Sequence, residues 1–278
     1  MEWYLLDEKI KGWLAEDLPY GDVTSDPLFS DEHTCSGTFV AKEDGCIAGL
    51  LVAERVFRVL SEDVVMTILV EEGSRVTKGT PIAKITGLTR DILKGERLAL
   101  NLMQRISGIA TMTRAYADRL EGTQTRIVDT RKTTPGLREL EKYAVRMGGG
   151  YNHRFNLSDA VMLKDNHIEA AGGITDAVNK VRATLSHMTK IEVEVEDLFQ
   201  FEEAMTAGAD IILLDNMDTQ TMAKAVSMKR GNVILEASGN ITLDRLKEIA
   251  ATGVDIISSG ALTHSVKALD ISLDLKQA

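Results

Sequence analysis

The 278-residue chain is long enough to form one large barrel or two modest domains around an ample core. Its 44% hydrophobic and 27% charged residues are typical of a globular protein, and its net charge of −10 disfavours general nucleic-acid binding. No apolar run reaches the roughly 18 residues that a membrane span requires, and the N-terminus lacks a secretory signal pattern. Two cysteines, Cys35 and Cys46, are too few for a disulfide framework, so we expect a cytoplasmic protein without nucleic-acid or membrane partners.

The first hundred residues have the mixed pattern of an α+β domain. Helices are predicted at 3–15 and near 53–60, and strands at 37–41, 46–51 and 65–69. Turn-forming glycines and a proline between residues 73 and 81 predict a hairpin that ends near Ile85. The segment Thr89–Leu120 is broadly helical, with a predicted interruption near Ser107-Gly108, and it leads into the second half.

The second half alternates short apolar strands with helices, which predicts βα units and a parallel sheet. Strands are predicted at 126–129, 160–163, 191–195, 210–214, 233–236 and 254–258, and helices at 174–186, 197–206, 218–228 and 242–251. The near-continuous apolar strands agree with burial on both faces. Nearly every strand ends in polar residues, which favours an incomplete parallel α/β barrel of six or seven strands with its site at one mouth.

A cluster of cations interrupts the acidic composition. Residues 126–164 hold eight Lys or Arg against four acids, which indicates a local anion pocket. Arg131 and Lys132 follow a predicted strand and can clamp carboxylates or phosphates. Three consecutive glycines at 148–150 precede His153 and Arg154, as expected where the backbone approaches a ligand. Lys164 adds another cation at a strand end.

Two carboxylates, Glu194 and Asp215, end neighbouring strands of the predicted barrel. Facing a basic pocket, they could hold Mg²⁺ on a polyphosphate, directly or through water, or stabilise positive charge on a reacting sugar. Ordinary ion pairs with Lys132 or Lys164 are the alternative. Small residues after the two last strands are suited to a barrel phosphate site, and they are Ser238, Gly239, Ser259 and Gly260.

These residues belong to longer segments that follow one another along nearly the whole chain, namely Glu16–Asp22, Glu96–Asn101, Ser107–Thr111, Asp129–Arg138, Gly148–Arg154, Lys164–His167, Leu213–Asn216 and Gly260–Ser265. The set resembles the motifs of the quinolinate phosphoribosyltransferase family, also called carboxylating nicotinate-nucleotide pyrophosphorylase. The resemblance implies transfer of a phosphoribosyl group from phosphoribosyl pyrophosphate to quinolinate, with Mg²⁺ as cofactor. The products are nicotinate mononucleotide, pyrophosphate and CO₂, a step of NAD biosynthesis.

The same resemblance implies an N-terminal α+β sandwich at 1–107, joined by the tail 266–278, and an open barrel at 108–265. It implies a homodimer with shared active sites and leaves a higher oligomer open. Arg97 would reach quinolinate from the neighbouring subunit. The quinolinate pocket would be lined by Arg131, His153, Arg154 and Lys164, with Lys132 near both substrates. The family pattern places Glu194 and Asp215 at the ribose and magnesium, and it makes catalytic residues of Lys132, Lys164, Glu194 and Asp215.

Other interpretations predict different behaviour. A paralogous family associated with molybdenum transport shares the fold, but the Asn152-His153-Arg154 and Lys164–His167 segments resemble the quinolinate enzyme. A barrel lyase that forms a Schiff base on Lys164 is a second enzymatic alternative. A phosphate-binding sensor would explain Ser238-Gly239 and Gly260 but not the cations, and a purely structural protein would not need polar strand ends.

Overall fold

The structure, a computed structural model, describes residues 2–277. Its helices are α1 Trp3–Asp17, α2 Ser25–Leu28, α3 Leu50–Leu60, α4 Thr89–Arg119, α5 Arg138–Met147, α6 Asp165–Ala171, α7 Ile174–Arg182, α8 Leu198–Ala207, α9 Thr219–Met228, α10 Leu246–Ala250 and α11 Ala261–His264. Its strands are β1 Thr34–Ala41, β2 Gly45–Cys46, β3 Val65–Ile68, β4 Arg75–Val76, β5 Pro81–Leu88, β6 Arg126–Val128, β7 Val161–Leu163, β8 Ile191–Val195, β9 Ile211–Asp215, β10 Ile234–Ser238, β11 Ile256–Ser258 and β12 Ile271–Gln277. No helix in this range is long and apolar enough to cross a membrane.

The chain divides into two units. The first contains the residues up to Met112, the segment Glu139–Gly149 and the chain from Val266 onward. The second contains Thr113–Arg138 and Gly150–Ser265. The sequence boundary at residues 107 and 108 placed Glu139–Gly149 in the second domain, whereas the structure groups this helical segment with the first unit. The first unit thus takes three separate pieces of chain.

The first unit is built on an antiparallel sheet with the strand order β12-β1-β5-β3. Burial alternates along β1 because successive side chains lie on opposite faces of a strand. Phe39 of β1 packs near Phe57 of α3, with ring centroids 6.2 Å apart, and both side chains are buried. The α+β architecture predicted for this half is therefore confirmed.

Two predicted elements of the first unit are wrong. The hairpin ending near Ile85 does not form, because β4 pairs with β2 while β5 pairs with β1 and β3. The strand predicted at 46–51 is also shorter, since the chain turns at Gly49 and begins α3 at Leu50. Gly49 has a φ of 89°, a left-handed value that favours glycine and ends the extended segment.

The long helix α4 is continuous, so the interruption predicted near Ser107-Gly108 is wrong. Both residues serve packing instead. The Ser107 hydroxyl donates to the Ala48 carbonyl oxygen at 2.9 Å and accepts from the Ala48 N–H at 3.0 Å. A Cβ on Gly108 would lie 2.2 Å from the Lys267 carbonyl oxygen, so the backbone beside the helix approaches too closely for any side chain.

The second unit is a parallel sheet with the strand order β6-β11-β10-β9-β8-β7, and its strands match the six predicted from the sequence. Among the described residues β6 does not pair with β7, so the barrel is open. A parallel bridge between Val128 and Tyr151 extends the sheet one step beyond β6. The prediction of an incomplete parallel α/β barrel is confirmed.

Strand β8 of this barrel alternates between an apolar outer face and an acidic inner face. Ile191, Val193 and Val195 of β8 are fully buried and face the surrounding helices, whereas Glu192 and Glu194 lie on the opposite face. The sequence interpretation of near-continuous apolar strands overlooked this alternation. Its consequence is that β8 carries one carboxylate at the mouth, Glu194, and a second one layer below it, Glu192.

Candidate active site

A cavity of about 600 Å³ opens at the carboxyl ends of the barrel strands. Nine of the twelve residues predicted to form the site line it, and they are Arg131, Lys132, His153, Arg154, Lys164, Glu194, Asp215, Ser238 and Gly239. The cavity is also lined by Thr130, Met162, Leu213, Asn216, Glu236, Asn240 and Ser258. Residues far apart in sequence meet here because parallel strands bring their carboxyl ends to one mouth.

Asp129 organises the cationic side of the cavity from below. Its side chain is fully buried at the end of β6 and accepts two hydrogen bonds from the chain after the three glycines. The Asn152 amide donates to Oδ2 at 2.6 Å, and the His153 N–H donates to Oδ1 at 2.9 Å. The carboxylate therefore fixes the segment that carries His153 and Arg154 beside the strand that leads to Arg131.

Two of the cations on this side, Arg154 and Lys132, are positioned by hydrogen bonds that involve backbone carbonyl oxygens. The Arg154 guanidinium donates from Nη1 to the Ala160 carbonyl oxygen at 2.9 Å. Burial lowers the pKa of Arg154, and the nearby charge of Arg131 lowers it further. The Thr263 hydroxyl donates to the Lys132 carbonyl oxygen at 2.8 Å, which fixes the backbone from which the Lys132 side chain extends.

Lys164 and Glu194 form an ion pair within the cavity wall, with Lys164 Nζ donating to Glu194 Oε2. The ion-pair alternative considered for the two predicted acids therefore describes Glu194. The rest of the Lys164–His167 segment is structural, since His167 Nδ1 accepts from the Lys164 N–H at 3.1 Å and caps α6. The ion pair lines the cavity, where an anionic ligand could compete with Glu194 for Lys164.

The opposite wall is a pair of strained turns after β9 and β10. Asn216 and Asn240 have left-handed φ values of 53° and 49°, and Asn240 Nδ2 donates to Asn216 Oδ1 at 3.0 Å. The Asp215 carboxylate accepts from the Asn216 amide at 2.7 Å. A Cβ on Gly239 would lie 2.2 Å from Asn216 Oδ1, so the close approach of the two turns requires glycine.

Three predicted site residues do not line the cavity. Arg97 is exposed on α4 in the first unit. Ser259 is buried at 4% exposure, with its N–H donating to the Val128 carbonyl oxygen at 3.0 Å and its hydroxyl bonded to Tyr116. A Cβ on Gly260 would lie 2.8 Å from Lys132 Cδ, so Gly260 makes room for that side chain.

Sequence reasoning missed a buried acidic pair beneath the predicted residues. Glu192 and Glu236 are only 3% and 2% exposed, and His153 Nε2 lies 3.1 Å from Glu192 Oε2 and 3.7 Å from Glu236 Oε1. Burial raises the pKa of Glu236 to about 7, and the Glu192 carboxylate acts in the same direction. The signal in the sequence was a glutamate alternating with apolar residues in each strand, Ile191–Val195 and Ile234–Ser238.

Two positions could hold a divalent cation. Glu194 and Asp215 offer carboxylate oxygens at the cavity wall, a donor set that suits Mg²⁺ shared with substrate phosphates. Within the described residues, His153, Glu192 and Glu236 form the only group of three potential metal ligands with all donor atoms within 4.8 Å. Their burial leaves little room for the water molecules that Mg²⁺ usually keeps, so the mouth fits this ion better.

Chemically, the cavity can bind an anion with several charged groups. Four cations, one of them paired with Glu194, line the mouth together with the carboxylates of Glu194 and Asp215, and glycine-containing turns without bulky side chains close the far wall. Such a site suits a ligand whose negative ends sit on the cations and whose electron-poor centre faces the carboxylates.

Comparison with known proteins identifies the family. The models of the quinolinate phosphoribosyl transferase N-terminal and C-terminal domains match residues 22–107 and 109–274. A probable nicotinate-nucleotide pyrophosphorylase (carboxylating) of Bacillus subtilis (strain 168) is 48% identical over 270 residues, covering 97% of this chain and 93% of that protein. The nicotinate-nucleotide pyrophosphorylase (carboxylating) of Mycobacterium leprae (strain TN) is 43% identical over 276 residues, with 96% of each chain covered.

Solved structures agree with these relatives. The crystal structure of NadC from Streptococcus pyogenes matches with a TM-score of 0.96 at 43% identity and covers 100% of this chain and 99% of that one. The nicotinate-nucleotide pyrophosphorylase from Francisella tularensis matches with a TM-score of 0.94 at 38% identity, covering 99% and 98%. The resemblance in the sequence motifs is thereby confirmed, and the chain belongs to the quinolinate phosphoribosyltransferase family.

Proposed function

We propose that the cavity transfers the phosphoribosyl group of phosphoribosyl pyrophosphate to the ring nitrogen of quinolinate, with decarboxylation to nicotinate mononucleotide. One observation carries this proposal: four cations and the two carboxylates of Glu194 and Asp215, from five separate strand ends and loops, line a single cavity of about 600 Å³. A dicarboxylate and a sugar pyrophosphate together supply the anions and the developing positive charge that such a cavity can bind.

Quinolinate binds on the cationic side. Arg131 and Arg154 can each hold a carboxylate through two parallel hydrogen bonds, and Lys164 adds a compact charge when it is released from Glu194. Lys132 lies beside Gly260 and contributes charge near both substrates. These fixed cations orient the ring and replace the water that the two carboxylates lose on binding.

The phosphoribosyl end binds at the opposite wall, with its phosphate on the Ser238-Gly239 turn. Glu194 and Asp215 would hold Mg²⁺, directly or through water, and the bound ion would neutralise the departing pyrophosphate. The same carboxylates stabilise the positive charge that develops on the sugar as the bond to pyrophosphate breaks. Ser259 and Gly260 act indirectly, because they shape the turn next to Lys132.

Decarboxylation follows from the charge of the new product. When the ring nitrogen bonds to the sugar it becomes cationic, and this charge stabilises the electron pair left on carbon 2 as CO₂ departs. Lys132 and Lys164 both line the cavity and are the ammonium groups able to influence delivery of the proton that replaces the carboxylate.

Arg97 completes the site in a homodimer with shared active sites, where the partner subunit's Arg97 binds quinolinate. Arg97 is exposed on α4 and is not among the residues that line the cavity, which supports this role. We place the enzyme in the cytoplasm, because its cysteines, Cys35 and Cys46, are both buried thiols and not a disulfide, as suits a reducing compartment.

The test is direct. The purified protein is incubated with quinolinate, phosphoribosyl pyrophosphate and Mg²⁺, and nicotinate mononucleotide and CO₂ are measured. Equal amounts of both products are expected, and omission of either substrate or chelation of Mg²⁺ should abolish them. Turnover of nicotinate in place of quinolinate, or borohydride trapping of a carbonyl substrate on Lys164, would contradict the proposal.

A further inference from the structure

The buried pair Glu192 and Glu236 lies one layer below the residues proposed to bind substrate. Glu236 lines the cavity, and it stands two residues before Ser238 on β10. Glu192 occupies the corresponding inner face of β8, two residues before Glu194. Oε1 of each glutamate is buried and has no hydrogen-bond partner within the described residues. Two such carboxylates beneath a pocket for a dianion require a physical explanation.

The hydrogen bonding of His153 shows where one proton lies. The Arg154 N–H donates to His153 Nδ1 at 2.8 Å, so Nδ1 is an acceptor and the ring proton is on Nε2. Nε2 lies 3.1 Å from Glu192 Oε2 and 3.7 Å from Glu236 Oε1. The imidazole is therefore a neutral donor, and the nearer acceptor of its N–H is Glu192.

This tautomer disfavours a metal ion at the three residues, although their spacing would suit one. A histidine that binds metal through Nε2 normally donates its Nδ1–H to another acceptor. Here Nδ1 faces an N–H group, which a protonated Nδ1 would repel. The pair of carboxylates must be compensated in another way.

The charges around Glu236 leave it as the protonated member. Glu192 receives the closer imidazole N–H and lies near the Arg154 guanidinium, which stabilises its negative charge. Of the groups that face Glu236, the Glu192 carboxylate raises its pKa, whereas His153 and the Ser258 hydroxyl lower it without offsetting burial. Its pKa is raised to about 7, mainly by burial. Glu194 lies one layer above Glu192 on β8, and its ion pair with Lys164 already neutralises its charge.

We propose, on the basis of the function proposed above, that Glu236 holds a proton and thereby keeps a second negative charge out of the quinolinate pocket. Glu236 is thus a positioning residue, and its ionisation at alkaline pH opposes binding of the dicarboxylate. Quinolinate binding favours the protonated form in return, so above neutral pH the complex takes up a proton from solvent.

The first measurement is the KM of each substrate between pH 6.5 and 8.5 at constant free Mg²⁺. A group that must be protonated for binding changes the KM by up to about tenfold per pH unit above its pKa, so the quinolinate KM should rise by roughly tenfold across the alkaline half. The KM of phosphoribosyl pyrophosphate should change much less. The variant Glu236→Gln keeps the shape and the neutral charge of the protonated glutamate, and its quinolinate KM should not change with pH over this range.

Calorimetry gives a readout that does not depend on turnover. Quinolinate binding at pH 8 in buffers of different ionisation enthalpy should show uptake of about one proton by the wild type and none by Glu236→Gln. Glu202→Gln is the matched control, because Glu202 pairs with Arg230 at an exposed position and its loss should leave proton uptake unchanged.

Several outcomes would overturn the inference. A wild-type quinolinate KM that is flat with pH, binding without proton uptake, or one equivalent of tightly bound transition metal in the purified protein would each do so. The wild-type measurements decide the matter even if Glu236→Gln does not fold. Failure of the proposed function is a separate result, since it would appear as absence of nicotinate mononucleotide at every pH.

Discussion

Lys132 presents its ammonium group to the cavity from a backbone that Thr263 holds in place. Lys132→Ala should lower kcat/KM by about a hundredfold or more, because fixed charge at the reacting centre contributes about 3 kcal/mol in comparable sites. The melting temperature should change little, since the side chain is exposed. Steady-state kinetics and thermal unfolding measure the two effects. Lys247→Ala, an exposed lysine on α10, should leave both unchanged.

Gly239 tests the close approach of the two turns at the phosphate side. Gly239→Ala should destabilise the protein by about 1–2 kcal/mol through its left-handed φ, with a further 1–3 kcal/mol from the contact with Asn216. The KM for phosphoribosyl pyrophosphate should rise as well.

Gly208→Ala is the matched control, because Gly208 has a similar φ of 80° and open space around its Cα. It should show the backbone cost alone, measured as the free energy of unfolding in urea. Equal losses in the two variants would mean that the turns can separate without cost.

At this scale the sequence predicted the charged residues of the mouth better than those beneath it. Arg131, Arg154 and Lys164 could be found because cations at strand ends have few structural uses. Glu192 and Glu236 could not, because a glutamate inside an apolar strand is indistinguishable from an exposed one until the inner face is known to be closed.

The helix α4 shows how a local preference yields to packing. Gly108→Ala should destabilise the protein by about 2 kcal/mol or more, although alanine favours helix by about 1 kcal/mol, because its Cβ would meet the backbone oxygen of Lys267. Chemical denaturation measures the change in the free energy of unfolding.

Gly12 provides the opposite case within α1. No atom lies within 4 Å of a Cβ added at Gly12, so Gly12→Ala should stabilise the protein by up to about 1 kcal/mol. If Gly108→Ala were also stabilising, the packing beside α4 would be looser than the structure indicates.

The elements of the barrel could be predicted because each strand and helix alternates in a regular βα pattern. The elements of the first unit were harder to predict, since strands that pair there are distant in sequence. The turn residues between β4 and β5 suggested a hairpin, but the partner of β4 is β2, and β5 lies between β1 and β3. A turn in the chain does not determine which strand pairs with which.

For the whole molecule, the proposed sharing of active sites between subunits predicts how much activity returns when two variants are coexpressed. Arg97→Ala and Lys132→Ala should each retain little activity alone. Coexpressed, they should form hybrid dimers with one intact site, because one subunit supplies Arg97 and the other supplies Lys132. Random pairing should restore about a quarter of wild-type activity per site.

The control pairs Arg131→Ala with Lys132→Ala, two residues that line the same cavity. No hybrid of these two contains an intact site, so activity should not return. Recovery in this control, or none with Arg97→Ala despite hybrid dimers, would exclude a shared site. Subunit tags of different size confirm that hybrids have formed.

The path of the chain between Arg138 and Gly150 has a consequence for the geometry of the cavity. The chain leaves the second unit there, forms most of α5 in the first, and then returns. After this excursion the chain is held beside β6 by the bridge between Val128 and Tyr151 and by the buried Asp129 carboxylate, which accepts from Asn152 and His153. The register of the imidazole and the guanidinium with the barrel is therefore set by contacts that flank the excursion, and not by the path of the chain within it.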